Sequence, residues 1–510
     1  MKLKKILFTT AVALSCTSCG KKYLELTNPN APTTGTFWKT ESDAVMAVNA
    51  VYQSLYYDGT FLRFAQCALD FRGDDMMSPS PWDVLSNTGS FKLFNNAIMQ
   101  QWLWIAFYGG VTRANFVLDN ISKVPFKDQT LYNRLKGEAL FLRGLNYYYL
   151  VTFFNKIPLI TKFYEKSEEY FPAQTTAENV WNQIYQDFDE ASKLLPVSYG
   201  SADAGRATKG AALAFLGKSY LFNQKHDLAL AKFKEVINLG VYDLVSNYGD
   251  NFTEANENNK ESIFEIQFSR EVGGTTLGWV SSPGSDWSKT TARAITFAPA
   301  PFGWNDAAPT QWIVDEYKKE KTTTGEDDPR LRATIYYNYA GCKLYSQSFQ
   351  TVYAADLNKI GVKKYGNGDS NRPDEKDWRS GINERLMRYA DVLLMYAECA
   401  NEQGNTAECA KYIQRVRNRA GLPDRETEFA ALSKEQMRDR IAHERALEFA
   451  LEGHRFDDIR RWGWLQNPTK LAELKTHDAE FNSYVAGREY FSIPQAEIDV
   501  NKNLKQNDGY

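Results

Sequence analysis

The stretch Ala212-Leu-Ala-Phe-Leu-Gly217-Lys-Ser-Tyr220-Leu-Phe-Asn-Gln-Lys-His-Asp-Leu-Ala229-Leu-Ala-Lys-Phe233-Lys-Glu-Val-Ile-Asn-Leu239 decides the fold. Leu216-Gly217, Tyr220, Ala229 and Phe233 stand at the spacing of the tetratricopeptide signature, in which small residues let two helices approach and aromatics fill the groove between them. A helix pair of this kind has an apolar face that only a neighbouring pair can cover. One pair therefore predicts more.

A second pair runs through Tyr389-Ala-Asp-Val-Leu-Leu-Met-Tyr396, turns at Gln403-Gly-Asn405 and returns through Ala410, Ile413 and Val416 to Gly421 and Pro423. Earlier, Thr40-Glu-Ser-Asp43 opens a helix carrying Val45, Val48, Tyr52 and Leu55 on one face. The helix with Ala139, Leu142, Leu145 and Tyr149 ends at Asn155-Lys-Ile-Pro158, where proline cannot continue it. A capping box is read at Thr175-Thr-Ala-Glu178, opening Val180, Ile184, Phe188, Ala191 and Leu195 until Pro196 stops the helix. The last two helices are expected to pack as an antiparallel pair. The fold class is all-α: a tetratricopeptide-like scaffold of about four helix pairs over about 40–245 and 384–465. Between about 246 and 383 the texture changes to a loop-rich insertion with a few short strands. Ile263-Phe-Glu-Ile-Gln-Phe268 alternates as a strand, whereas Gly273-Gly-Thr-Thr, Ser281-Ser-Pro-Gly-Ser285 and the polar stretch 366–380 have loop compositions.

The 510 residues are 43 % hydrophobic, 24 % charged and 14 % aromatic, which excludes disorder and fibrous repeats. With 60 Lys+Arg against 63 Asp+Glu and a net charge of -3, the chain lacks the basic excess a phosphate backbone demands, so no nucleic acid is expected. Met1-Lys-Leu-Lys-Lys5 followed by the short apolar run Ile6 to Leu14 reads as a signal peptide over 1–18, too short to span a bilayer. It leads into Leu14-Ser-Cys-Thr-Ser-Cys19-Gly, a lipoprotein cleavage context. Cys19 is the expected lipidation site, with Cys16 as the alternative. No later segment is apolar enough to span a membrane, so the lipid is the expected anchor, and residues 19–510 are read as one domain.

Chemistry-bearing motifs are missing. The four His at 226, 443, 454 and 477 fit no metal-ligand spacing, and no nucleophile elbow, Walker loop or dinucleotide fingerprint occurs, so no catalytic residue, metal or cofactor is expected. The Asp-rich loop from Asp369 to Asp377 lacks the spacing of a calcium-binding hand. The acids of Glu444-Arg-Ala-Leu-Glu448 and Glu452-Gly-His-Arg-Phe-Asp-Asp458 each have an arginine nearby and read as charge pairs, not as the spaced carboxylates of a glycosidase. Cys399 and Cys409 are read as isolated buried thiols, with a bridge between packed helices as the alternative.

The informative surplus is aromatic: 12 Trp, 29 Tyr and 30 Phe. Most must fill the core. Four Trp stand in loop-like contexts instead: Trp82 in Pro79-Ser-Pro-Trp-Asp83, Trp279 in Gly278-Trp-Val, Trp287 in Ser285-Asp-Trp-Ser288 and Trp304 in Phe302-Gly-Trp-Asn305. A flat ring stacks on the C–H face of a pyranose while adjacent polar groups take its hydroxyls, so these four, with Asp83, Asp286 and Asn305, are the candidate glycan-binding residues. The alternative is that each ring merely fastens its own loop to the body.

Taken in order, several motifs make the chain resemble the SusD/RagB family of surface nutrient-binding lipoproteins. They are Tyr23-Leu-Glu after the cysteine, Phe141-Leu-Arg-Gly-Leu-Asn-Tyr-Tyr148 with Asn155-Lys-Ile-Pro-Leu-Ile160, and Gly205-Arg-Ala-Thr-Lys-Gly210. They continue with Arg388-Tyr-Ala-Asp-Val-Leu-Leu394, Val416-Arg-Asn-Arg-Ala-Gly421, Glu444 through Arg460-Arg-Trp-Gly463, and Ile493-Pro-Gln-Ala-Glu-Ile-Asp499. The resemblance covers nearly the whole chain. It implies an outward-facing, lipid-anchored outer-membrane protein that is not an enzyme, captures an oligosaccharide or polysaccharide, and passes it to a SusC-like TonB-dependent transporter. The RagB branch leaves peptides as the alternative cargo. The quoted motifs are scaffold in that family, so the loop Trp assignment rests on aromatic chemistry alone.

Overall fold

The computed structural model describes residues 37–164, 166, 169–272, 277–278, 280, 289–370 and 372–510. The signal segment, Cys16, Cys19, Trp279, Asp286 and Trp287 lie outside the described residues.

Helices begin where a side chain can take the first free backbone N–H groups. Thr40 and Asp43 form the expected reciprocal box at the start of α1 (Glu41–Gln53). Helix α2 spans Ile98–Asn120; α3, Gln129–Phe154, is capped by Asp128 and stops at Asn155, whose φ of 62° turns the chain away. Helix α4, Ala177–Leu194, corrects the expected capping box. Its cap is Thr176, which accepts from Asn179, because Thr175 is pulled into an extended pairing by donating its N–H to the Ile157 carbonyl at 3.0 Å. The signature pair is α5, Lys209–Phe222, and α6, His226–Asn238.

Close approach within the pairs is bought by glycine. A methyl at Gly217 would stand 2.6 Å from the Phe233 ring across the α5–α6 groove, and one at Gly144 would stand 3.0 Å from Phe188 of α4. The space a side chain would need is already occupied by an aromatic, as the signature requires.

Strand β1, Ser262–Ile266, pairs antiparallel with β2, Glu384–Arg388, which runs directly into α7, Tyr389–Glu402. The alternating stretch is thus a strand, but it is buried on both faces: Glu265, the polar member, is 2 % exposed and accepts from Asn383 and the Asn258 N–H. The ladder ties the two ends of the loop-rich insertion together at its base. Phe141 of α3 fixes the ladder to the scaffold, its ring 4.9 Å from Phe264 and 5.7 Å from Phe215.

Helix α8, Thr406–Arg419, follows α7 after a turn at Gly404 with φ 80°, and α9 is Lys434–Phe449. From α2 to α8 each helix packs on the next, and α9 covers α7 and α8, around one continuous core. Cys67, Cys342, Cys399 and Cys409 are free and buried. No helix among the described residues is long and apolar enough to cross a membrane.

The charged motif between 444 and 461 lies inside this scaffold. Glu448, fully buried, accepts from Arg330 at 3.1 Å, Arg388 at 3.0 Å and Arg419 at 2.5 Å. Glu444 meets Arg330, Arg417 and Arg440, and Glu452 meets Arg388 and Lys364. Burial alone would raise the Glu444 pKa, but its arginines outweigh that and hold it at about 2. These carboxylates are held ionised near neutral pH by their cationic partners, the opposite of a poised general acid.

Candidate functional site

Three segments distant in sequence lie side by side on the loop-rich part of the molecule. The short ladder Met76–Met77 with Ala308–Pro309 brings the 78–83 turn against the 302–306 turn. Ser78 donates its hydroxyl to the Asp306 carbonyl at 2.8 Å and Ser80 donates to the Asp306 carboxylate at 2.5 Å. Burial pushes the Asp306 carboxyl up, and the Ser80 hydrogen bond and the Arg63 charge oppose that. Next to them, Ala292 N–H donates to the Leu62 carbonyl at 2.9 Å, and Thr291 pairs with Ser380.

These segments carry three Trp rings. Trp82 is half-buried, with its ring 5.7 Å from Phe64 and the Arg63 guanidinium 5.4 Å over its face. It is the residue before a short helix, Asp83–Gly89, so the loop context read from sequence is a helix start. Asp83 is exposed in the first turn of that helix, where the positive helix end favours it. Trp304 is half-buried against Leu62, Ala292 and Ile295, and its N–H donates to the Ile295 carbonyl at 2.8 Å. Asn305 takes φ 58° to reverse the chain. Its backbone donates to Ala298, and its side-chain amide makes no hydrogen bond to a described residue.

The structure adds a ring that the sequence reading passed over. Trp378, in the polar 366–380 loop, packs edge-on against Trp304 at 5.3 Å and an interplanar angle of 72°, and is 42 % exposed. Its backbone sits at φ 62°, a costly conformation for a bulky residue and one that turns the ring out of the loop. The sequence signal was available: Asp377-Trp378-Arg379 is a lone aromatic between charges in a loop composition, the same context that singled out Trp82 and Trp287. Arg63 was also missed. It is fixed to Asp58 at 2.6 Å, and Asp58 in turn accepts the Gly278 N–H at 2.7 Å, which brings the segment preceding Trp279 beside Arg63.

Several cavities are lined mainly by scaffold elements. One of about 460 Å³ is walled by Trp181, Tyr185, Phe222 and Tyr490. Trp181 and Tyr185 are only 6 % and 8 % exposed, so they offer little ring surface, and Arg461 beside them is held by Glu398 and Asp458. On the loop face Trp378 is exposed, Trp82 and Trp304 are half-buried, and the Asn305 side chain has no hydrogen bond to a described residue.

Comparison with known proteins agrees with this architecture. The family model described as the SusD family matches residues 260–510, and that described as starch-binding associating with outer membrane matches residues 22–221. SusD-like protein P25 of Formosa agariphila is 27 % identical over 542 aligned positions, covering 100 % of this chain and 99 % of its relative. The crystal structure of a SusD superfamily protein from Bacteroides vulgatus is 30 % identical with a TM-score of 0.82, covering 93 % of this chain and 100 % of that one. A laminarin binding SusD-like protein is 25 % identical with a TM-score of 0.74, over 93 % and 100 % of the two chains. With the helix pairs, the capped insertion and both halves of the sequence accounted for, the chain belongs to the SusD/RagB family.

Proposed function

We propose that this protein captures an oligosaccharide at the Trp82–Trp304–Trp378 row, releases it unaltered, and delivers it to a SusC-like TonB-dependent transporter in the outer membrane. The exposed Trp378 edge-packed on Trp304 carries this reading, because two rings at a steep angle form a corner that can hold a sugar face against one ring and its rim against the other. The laminarin binding relative supports a glycan cargo. Asp83 and Asn305 are proposed to take hydroxyl contacts, and Trp279, Asp286 and Trp287 are proposed as further ligand contacts on their sequence context alone.

The insertion at about 246–383 is proposed as the main ligand-facing part of a single domain, with 58–64 and 78–83 contributing from the scaffold. Cys19 is proposed as the lipid attachment point, with Cys16 as the alternative, and a Cys19→Ala chain should appear in the soluble fraction. The absence of chemistry is part of the proposal: the acids of the C-terminal motif are locked in ion pairs, so ligand recovered after incubation should have unchanged mass. Isothermal titration against an oligosaccharide panel tests the site. Trp304→Ala and Trp378→Ala should each weaken binding about tenfold, about 1.4 kcal/mol. Unchanged affinity in both would remove the site. Binding confined to peptides would replace the cargo.

A further inference from the structure

Resting on the glycan-capture reading above, we propose that the site selects an acidic glycan, an oligosaccharide bearing carboxylate or sulfate groups. Its anionic group would be met beside Trp378 by Arg379, with Arg270 and Lys289 in support. The argument is the imbalance of hydrogen-bond donors around one carboxylate. Arg270 pairs with Asp377 at 2.9 Å and Arg372 also bonds to Asp377, so that carboxylate is occupied. Arg379 stands 3.9 Å away from it, beyond hydrogen-bond reach. The Arg379 side chain makes no hydrogen bond to any described residue, and its side chain is 42 % exposed directly after the exposed ring of Trp378.

The other acids nearby do not take up these donors. Glu375 is buried and already accepts from Tyr345, Asn367 and Arg372. Glu254 lies against Gly381 beside the Arg270 side chain but is within ion-pair reach of no described cation. Lys289, held next to Arg270 by the Ser269 N–H donating to its carbonyl at 2.7 Å, has no ion pair with a described residue. A planar guanidinium with open donors matches a carboxylate or sulfate in a two-point contact, which a neutral hydroxyl cannot return with the same strength.

The two ends of the row differ. At the Trp82 end, Arg63 is nearly buried, bonds both oxygens of Asp58 through Nε and Nη2, and sets its guanidinium over the ring. The geometry therefore points to a ligand whose neutral part lies over Trp82 and whose charged residue lies at Trp378. The loop that carries Arg379 is held in register by the Ser380 to Thr291 pairing, so these donors are placed rather than trailing.

The test uses matched pairs of probes and the full chain. One arm titrates oligogalacturonates against their carboxyl-reduced counterparts, and the other titrates sulfated galactan oligosaccharides against the desulfated ones. The acidic member of at least one pair should bind about tenfold more tightly, with an advantage that shrinks as salt is raised. Arg379→Ala and Arg270→Ala should erase that advantage while leaving binding of the neutral member, and Trp304→Ala should weaken both members. The arm that responds tells carboxylate from sulfate. Equal or tighter binding of the neutral members, or an advantage that survives both arginine substitutions, overturns the acidic-glycan assignment and leaves glycan capture standing. If neither member of either pair binds, nor any sugar of the wider panel, glycan capture itself fails.

Discussion

The arginines of the C-terminal motif and those of the loop face are the same residue in opposite circumstances. Arg388 is 1 % exposed and shares Glu261, Glu448 and Glu452, whereas Arg379 is half-buried with a side chain open to water and shares a single carboxylate with two other arginines. Where acceptors are plentiful and water is absent, charge acts as architecture, since removing one partner strands the others. Where donors exceed acceptors and water has access, charge is left over for a ligand. Tryptophan divides the same way. Trp462 donates its ring N–H to Glu398 at 3.0 Å in the motif, while Trp378 turns its ring outward.

The largest effect that sharpens this contrast should come from the buried lattice. Glu448→Ala leaves Arg330, Arg388 and Arg419 facing each other without water and should cost about 3–5 kcal/mol. Chemical denaturation checks this against Arg379→Ala, which should change stability by less than about 0.5 kcal/mol. A loss of similar size in both would break the comparison.

A smaller loss is expected at the signature glycine. Gly217→Ala must move the Phe233 ring, and overpacking of about 1–3 kcal/mol exceeds the roughly 1 kcal/mol that alanine gains in a helix. The thermal unfolding midpoint should therefore fall by about one to two degrees, and a more stable variant would contradict the close approach.

A further effect is on pH dependence. Burial pushes Asp75 up to about 7 and Asp70 to about 6, whereas Glu444 is held at about 2. A carboxyl raised in the folded state makes the fold more stable as pH falls from its folded value towards its unfolded value near 4. A carboxyl depressed in the folded state contributes stability above about 4 that is lost as pH falls towards 2. Unfolding free energy should therefore peak near pH 4 to 5. Asp75→Asn, which can still accept the Leu451 N–H, should flatten the alkaline side between about pH 5 and 8. An unchanged slope in that window would show that Asp75 is ionised throughout.

Periodicity and turn chemistry made the scaffold legible in sequence. Gly217 and Phe233, Thr40 and Asp43, and the turn at Gly404 are local devices whose spacing survives in one dimension. The cap of α4 slipped by one residue because a non-local pairing to Ile157 claimed Thr175, which no local pattern announces. The burial of Glu265 depends likewise on Asn383, more than a hundred residues away. Sequence context alone singled out Trp82 and Trp304 but could not join the loops that carry them, which are brought together by the Met76–Met77 ladder with Ala308–Pro309. Trp378 shows the same limit, because a ring in a polar loop becomes informative only when Trp304 is found 5.3 Å away.

The most direct test is a crystal structure of the chain with an oligosaccharide retained in the titrations. The account predicts an unbroken sugar chain with one ring stacked on Trp304 or Trp378 and extending towards Trp82. A ligand seated instead in the cleft walled by Trp181 and Tyr185, or found cleaved, would contradict it.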